Sequence, residues 1–232
     1  MPELPEVETV RRGLQRKLKG RVIEDVEVRE TRLRYPVDAP RLKRELPGRR
    51  VKKLQRRAKY LLILLEADES REEAFLIIHL GMSGRIYFSA SEEVPRPHTH
   101  LIFSLGDGRE LHFCAPRRFG LVDLVSSSRL EEDRRFTHLG PEPLSRECTA
   151  GYFFECSRKL RQPVKNFLMD SRRVVGVGNI YASEALFLAG VHPLRAAGRI
   201  SLQRWERISS AVKEVLSEAI RQGGTTLNDF QG

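Results

Sequence analysis

The first residues of the chain carry its most distinctive candidate chemistry. Pro2 and Glu3 follow the initiator Met1. Removal of Met1 would leave Pro2 with a free secondary amine, and because the pKa of an α-amino group lies near ~8, a useful fraction is neutral at pH 7. A neutral amine is a nucleophile, and a neighbouring carboxylate can carry its protons. We therefore predict Pro2 as an amine nucleophile and Glu3 as its proton partner; the alternative is a frayed terminus before a helix.

A helix is predicted directly after these two residues, and it would hold them in a fixed place. Pro5 suits a first helical turn, where the missing N–H has no helical partner to lose. Apolar residues then recur at helical spacing until Gly20 ends the pattern. These residues are Val7, Val10, Leu14 and Leu18. We expect this apolar face to pack on a β-sheet.

The chain changes character near residue 130. Before it, short β-rich runs follow one another, and Gly106-Asp107-Gly108 is typical of a hairpin turn. After it, helical patterns cover residues 150–160, 164–170, 180–189 and 201–222. We therefore predict an α+β fold with two domains. Residues 1–133 would form an N-terminal antiparallel β-sandwich with an N-terminal helix, and residues 134–232 an all-helical domain.

Composition favours a polyanionic partner. The 232 residues include 41 Lys and Arg against 31 Asp and Glu, which gives a net charge of +10. Nucleic acid is the first expectation and an anionic membrane the second. Residues 41–59 hold ten Lys and Arg with Glu45 as the lone acid, and part of this segment is expected to contact phosphate. The alternative is a solvated charged face.

Neither a membrane span nor a signal peptide is visible, so we expect a soluble, intracellular protein. Its three cysteines are Cys114, Cys148 and Cys156. They are odd in number and lack C-x-x-C spacing, which argues against disulfides and against a cysteine zinc site. His98 and His100 lack a third ligand, which favours a phosphate or packing role over a metal site.

Residues 173–181 form a glycine-rich turn (RVVGVGNIY) that could present backbone N–H groups to an anion. A dinucleotide loop is disfavoured, because Tyr181 occupies the place of a third glycine and no βαβ pattern surrounds the turn. A turn between two helices fits better, with Asn179 capping the second helix and Lys165 reaching the same phosphate. A plain helix–helix corner is the alternative.

Two further turns carry apolar and cationic residues at their tips. Met82 lies between Gly81 and Gly84, and Arg117, Arg118 and Phe119 precede Gly120. Such tips are suited to wedging into a base stack and opening a duplex. Burial of Met82 and Phe119 in the core is an equally weighted alternative.

These motifs together resemble the formamidopyrimidine-DNA glycosylase family of bacteria. The resemblance covers the whole chain in order, and the terminal PELPEVET and the HLGMSG and PRRFG turns carry it. Residues 174–186 resemble the family's helix–two-turns–helix motif. The matching segments are residues 2–9, 57–62, 79–84, 116–120, 174–186 and 223–227.

The resemblance implies a base-excision repair enzyme, a bifunctional DNA glycosylase and lyase. It would remove oxidised purines, chiefly 8-oxoguanine and formamidopyrimidines, from double-stranded DNA. Pro2 would attack the sugar C1′ to give an imine (a Schiff base), Glu3 would transfer protons, and elimination would cleave the strand. Lys59 would contact phosphate near the lesion and assist the elimination.

The resemblance also implies how DNA would be held. The flipped nucleotide would leave a gap for Met82, Arg117 and Phe119, with Arg117 facing the orphan base. The remaining residues would bind the DNA backbone or cover the extruded base. Arg118, His98, Lys165 and Asn179 belong to the DNA-binding set, and Thr225 and Thr226 to the base-pocket loop. A monomer is expected, in the bacterial cytoplasm and associated with the nucleoid.

Three departures from the family pattern leave an alternative open. The family usually carries a C-terminal zinc finger, which this sequence ends before at Gly232, so no cofactor and no metal are expected in this chain. Ala115 stands where an Asp is common, and Met1 blocks Pro2 while it remains. The alternative is a non-catalytic damaged-DNA-binding protein that has lost turnover; a general RNA-binding protein is a weaker one.

Overall fold

The structure, a computed structural model, describes residues 1–224 of the 232. The chain forms two compact units. Among the described residues, the first contains Met1–Pro2 and Glu6–Asp133, and the second contains Glu3–Pro5 and residues 134–224. The three-residue segment Glu3–Pro5 therefore groups with residues more than a hundred positions further along the chain, which the sequence does not reveal.

The first unit is an antiparallel β-sandwich, which confirms the predicted fold class. One sheet has the strand order β1 (Ile23–Val28), β6 (Thr99–Leu105), β7 (Arg109–Cys114) and β5 (Arg85–Ala90). The other has the order β2 (Val51–Arg57), β3 (Tyr60–Leu65), β4 (Ala74–His79) and β8 (Leu121–Ser126). Every neighbouring pair is antiparallel, and the predicted hairpin turn at residues 106–108 joins β6 to β7.

One apolar core fills the space between the two sheets. Alternate residues of the strands point into it, including Ile63 of β3 and Phe103 of β6. Helix α1 (Leu4–Leu18) contributes the apolar face predicted from its spacing. Burial of each such side chain contributes about 1.5–3 kcal/mol. The residues of that face are Val7, Val10, Leu14 and Leu18.

A short helix, α2 (Ala39–Glu45), lies in the basic segment and was not predicted. Asp38 caps it by accepting a hydrogen bond from the backbone N–H of Arg41 at 3.0 Å. Fewer of the basic residues in 41–59 are available to contact phosphate than the sequence predicts. Arg49 is buried and donates to the backbone carbonyls of Glu45 and two further residues, so its charge serves the fold.

The second unit is helical, as predicted. It contains α3 (Ala150–Ser157), α4 (Val164–Met169), α5 (Asn179–Leu188) and α6 (Leu202–Gln222). Its core is centred on Trp205, whose indole N–H donates to the hydroxyl of Ser157 at 3.1 Å. Ser201 caps α6, and Gly223 ends it in the left-handed conformation. Within residues 1–224, no helix combines the length and the apolar character that a membrane span requires.

Candidate functional site

The carboxylate of Glu3 is bound by the first turn of helix α5. It accepts hydrogen bonds from the backbone N–H groups of Gly178 at 2.7 Å, Ile180 at 2.9 Å and Tyr181 at 3.4 Å. Only 2% of Glu3 is exposed. An anion is favourable here because the N–H groups of a first helical turn lack helical acceptors and carry the positive end of the helix dipole. Glu3 is therefore held in one orientation by a rigid element.

The two glycines of the GVG turn make room for this segment. The backbone N–H of Leu4 donates to the carbonyl of Gly176 at 3.0 Å. A Cβ on Gly176 would lie 2.6 Å from the Leu4 side chain, and one on Gly178 would lie 2.5 Å from Glu3 Oε1. Both distances are shorter than any real contact, so neither glycine can carry a side chain without displacing the segment Glu3–Leu4.

This geometry corrects two expectations about the glycine-rich turn. Asn179 does not cap the helix: Gly178 is the N-cap residue, and no side chain of the turn supplies a capping bond. The capping acceptor is Glu3, which lies 175 residues earlier in the chain than Gly178. The anion at this helix terminus is therefore a carboxylate of the protein itself, and three of the N–H groups expected to meet a phosphate are already used.

Pro2 directly precedes this fixed carboxylate. It is buried, whereas Met1 is 56% exposed. While Met1 is attached, the Pro2 nitrogen is a tertiary amide with no lone pair to donate. Cleavage at an exposed residue would convert that nitrogen to a secondary amine one residue away from Glu3.

Lys59 lies in the two-residue turn that joins β2 to β3, and it is half-buried. The preceding residue, Ala58, adopts a positive φ of 54°. Next to this turn lies His79, whose pKa is lowered to about 4 by burial and by the charges of Arg34 and Lys59. Its ring contacts Tyr60, with the ring centroids 4.9 Å apart.

The two predicted wedge turns lie against each other in the first unit. Gly81 has a φ of 64°, and a Cβ there would lie 2.5 Å from the backbone carbonyl of Phe119. Met82 is 40% exposed and Phe119 is 50% exposed. The alternative that both are core residues is therefore wrong, and an apolar pair stands at the surface on two turns in backbone contact.

Arginines from one turn flank this pair. Arg117 donates to the Ser83 hydroxyl at 3.4 Å and approaches the Met82 sulfur at 3.8 Å. Arg118, which has a φ of 55°, pairs with Glu30 at 3.0 Å. The sequence has Ala115 where the family commonly has an Asp that could anchor an arginine of this turn. Glu30, which lies much earlier in the chain than Arg118, supplies a carboxylate instead.

The two histidines of the PHTH segment have separate roles. His98 is exposed with a φ of 66°, and its backbone carbonyl accepts a hydrogen bond from Ala115 N–H at 3.1 Å. His100 is buried, and its Nε2 lies 2.9 Å from the carbonyl of Ala115. The packing role therefore belongs to His100. His98 is presented next to the Arg117 turn.

The remaining predicted residues lie in the second unit or outside the described residues. Lys165 is half-buried in the first turn of α4, and Asn179 is exposed at the first position of α5. Thr225 and Thr226 lie outside the described residues. Across the described part of the chain, no three His, Cys, Asp or Glu side chains are grouped so that they could hold a metal ion.

Three contributors to the site were missed in the sequence. His79 is visible in the sequence only as part of the HLGMSG motif, although a histidine two residues before the first glycine of a turn is a signal for a turn acceptor. Glu30 gave no signal, because nothing local connects it to Arg118. The need for a glycine at position 178 depends on contact with Glu3, and the sequence does not reveal that these two residues are close together.

Two protein-family models match this chain. A family model described as the formamidopyrimidine-DNA glycosylase N-terminal domain matches residues 1–122. A second, described as the formamidopyrimidine-DNA glycosylase H2TH domain, matches residues 139–231. The formamidopyrimidine-DNA glycosylases of Xanthomonas oryzae and Halorhodospira halophila are each 48% identical over 230 residues. The alignments cover 99% of this chain and 82% and 83% of those proteins, respectively.

Solved structures give the same result. The Lactococcus lactis Fpg in complex with DNA that contains Fapy-dG matches with a TM-score of 0.90 at 30% identity, over 99% of this chain and 84% of that one. The same enzyme bound non-covalently to DNA with an AP site matches with a TM-score of 0.89 at 31% identity, over 96% and 83%. Fold and sequence therefore identify the same relatives.

Proposed function

This chain belongs to the formamidopyrimidine-DNA glycosylase family, and we propose that it excises oxidised purines from double-stranded DNA and cleaves the strand at the resulting site. It is a base-excision repair enzyme with glycosylase and lyase activities. The alternative of a non-catalytic DNA-binding protein is not favoured, because the relatives are named as glycosylases.

The reaction follows from an amine nucleophile. A base inside a duplex is out of reach, so it must first be extruded. The lone pair of Pro2 attacks C1′, the glycosidic bond breaks, and the base leaves with the bonding electrons and a proton. The C1′–O4′ bond then breaks as O4′ takes up a proton, and the bond between C1′ and the Pro2 nitrogen becomes an iminium, whose positive charge acidifies the C2′ hydrogen. Loss of that proton expels the 3′ phosphate, so one nucleophile serves both base removal and strand cleavage.

Glu3 transfers the protons of this sequence. Its position next to Pro2 places a carboxyl beside the reacting sugar, and three backbone N–H groups fix the orientation of that carboxyl. Lys59 binds the phosphate near the lesion and neutralises charge that develops on it during elimination. This fixed Glu3 carboxylate directly after Pro2 is the observation that carries the proposal.

We assign catalysis to the domain of residues 1–133 and a dedicated DNA-binding role to the helical domain of residues 134–232; turns of the first domain also contact the DNA. Met82 and Phe119 fill the gap left by the extruded nucleotide, because they are the exposed apolar residues on adjoining turns. Arg117 faces the orphan base. Arg118, His98, Lys165 and Asn179 hold backbone phosphates. Thr225 and Thr226, which lie outside the described residues, cover the extruded base.

The described residues do not fit the zinc site that the family usually carries, and the steps above use none. Zinc there belongs to a finger, which supplies DNA contacts. Because the proposed substrate is chromosomal, we place the protein in the bacterial cytoplasm, at the nucleoid.

Borohydride reduction tests the proposal, since it converts an iminium into a stable amine. The protein with Met1 removed should form a covalent adduct with a duplex that contains 8-oxoguanine, and peptide mapping should place the adduct on Pro2. The matched control is the same chain with its terminus blocked by one extra residue. If the unblocked protein binds the duplex but forms no adduct, the enzymatic function is refuted and the binding protein remains.

A further inference from the structure

One buried histidine in the first unit connects two of the turns described above. His79 is the last residue of β4 and is 8% exposed. Its Nδ1 accepts a hydrogen bond from the backbone N–H of Gly81 at 2.9 Å, and its ring packs on Tyr60, the residue after Lys59. We propose that His79 is a positioning residue that fixes Met82 for entry into the base stack. The inference rests on the proposed function.

The bond requires a neutral imidazole, because an imidazolium has no lone pair at Nδ1. The groups that face His79 keep it neutral. Burial, together with the positive charges of Arg34 and Lys59, lowers its pKa to about 4. Nδ1 is therefore an acceptor throughout the neutral pH range, and the ring proton lies on Nε2.

The turn has few other restraints. Gly81 is buried with a φ of 64°, and its N–H is directed at the His79 ring, so loss of the imidazole would leave a buried N–H without this acceptor. The backbone of Phe119 blocks movement of Gly81 on one side, and a hydrogen bond from Gly84 N–H to the carbonyl of Leu80 at 2.8 Å closes the turn. Loss of the acceptor would favour a turn that redirects the Gly81 N–H and, with it, the Met82 side chain.

The experiment compares two substitutions that differ in this one bond. His79→Asn places an amide oxygen near the Nδ1 position, whereas His79→Leu is of similar size and has no acceptor. The two rates to measure, under single turnover, are excision of 8-oxoguanine from a duplex and elimination at a preformed abasic site. The second reaction has no base to extrude, so it depends less on a wedge.

We expect His79→Leu to slow excision about tenfold, and to change elimination by less than about twofold. His79→Asn should restore excision to within about threefold of the original rate. A 2-aminopurine beside the lesion reports opening of the base stack by its fluorescence, and the fluorescence change on binding should be reduced for His79→Leu but not for His79→Asn. In the double variant with Met82→Ala, excision should be no slower than with Met82→Ala alone, because both changes remove one function.

Equal slowing of both reactions by His79→Leu, or an Asn variant as slow as Leu, would overturn the inference. Additive effects of His79→Leu and Met82→Ala would overturn it as well. If His79→Leu does not fold, His79→Gln replaces it, because the Gln oxygen lies near Nε2 and cannot reach Gly81. Failure of the proposed function has a different signature, because the unsubstituted protein would then excise nothing.

Discussion

Substitution of Gly178 by Ala should separate Glu3 from helix α5. The new Cβ would lie 2.5 Å from Glu3 Oε1, so the carboxylate must move away from the N–H groups that bind it. Gly178 has a φ of −125°, which any residue adopts, so the effect is steric and not a matter of backbone conformation. The substitution therefore tests the docking of Glu3 alone.

The magnitude follows from the bonds that are lost. Hydrogen bonds to a charged group contribute about 1.5–3 kcal/mol each, and the two short ones to Glu3, from Gly178 and Ile180, would break or lengthen. Partial relaxation of the terminus would recover some of this free energy. We expect the free energy of unfolding to fall by about 2–4 kcal/mol.

Urea unfolding measures this loss, and the borohydride adduct gives a second readout. Adduct formation on a lesion duplex should slow at least about tenfold, because the proposed proton-transfer group, Glu3, is displaced. Gly151→Ala in α3 is the matched control, since its Cβ would meet only the Thr149 hydroxyl at an ordinary 3.8 Å. A Gly178→Ala protein as stable as the control and with an undiminished trapping rate would refute the docking of Glu3 as a functional contact.

Two further predictions concern stability. Gly13→Ala in α1 should raise the free energy of unfolding by about 0.5–1 kcal/mol, because a Cβ there meets nothing within 4 Å and glycine disfavours a helix interior; unchanged urea unfolding would contradict this. The lowered pKa of His79 should make stability constant above about pH 6.5 and reduce it by up to about 3 kcal/mol as the pH falls to 4. The free energy of unfolding should differ less between pH 7 and pH 4.5 in His79→Leu than in the unsubstituted protein. Equal differences in the two proteins would exclude His79 as the cause.

Much of the fold could be predicted because its signals are local. The strands alternate in side-chain polarity or form short apolar runs, and the apolar face of α1 recurs at helical spacing. The sequence did not predict helix α2, and the reason is physical. It has seven residues and buries only Leu42, so no periodicity was available, although Asp38 and Pro40 form a helix-start signal in the sequence.

The site was less predictable because its contacts are distant in sequence. The residue types of the wedge turns and the chemistry of Pro2 could be proposed from the sequence. The capping of α5 could not, since a local rule assigned it to Asn179 and the acceptor is Glu3. Likewise the partner of Arg118 is Glu30, which no spacing rule connects to it. Local chemistry is visible in a sequence, whereas the tertiary partner that restrains it is not.

The docking of Glu3 also bears on the order of synthesis. Glu3 leaves the ribosome almost first, yet its three backbone donors do not exist until residue 181 has been made and α5 has formed. Contacts across such a long stretch of chain form late in folding, since the loop must close first. A nascent polypeptide that ends before residue 181 thus lacks an organised Glu3 carboxylate, and the terminus to which we assign catalysis is complete only after helix α5 has been made.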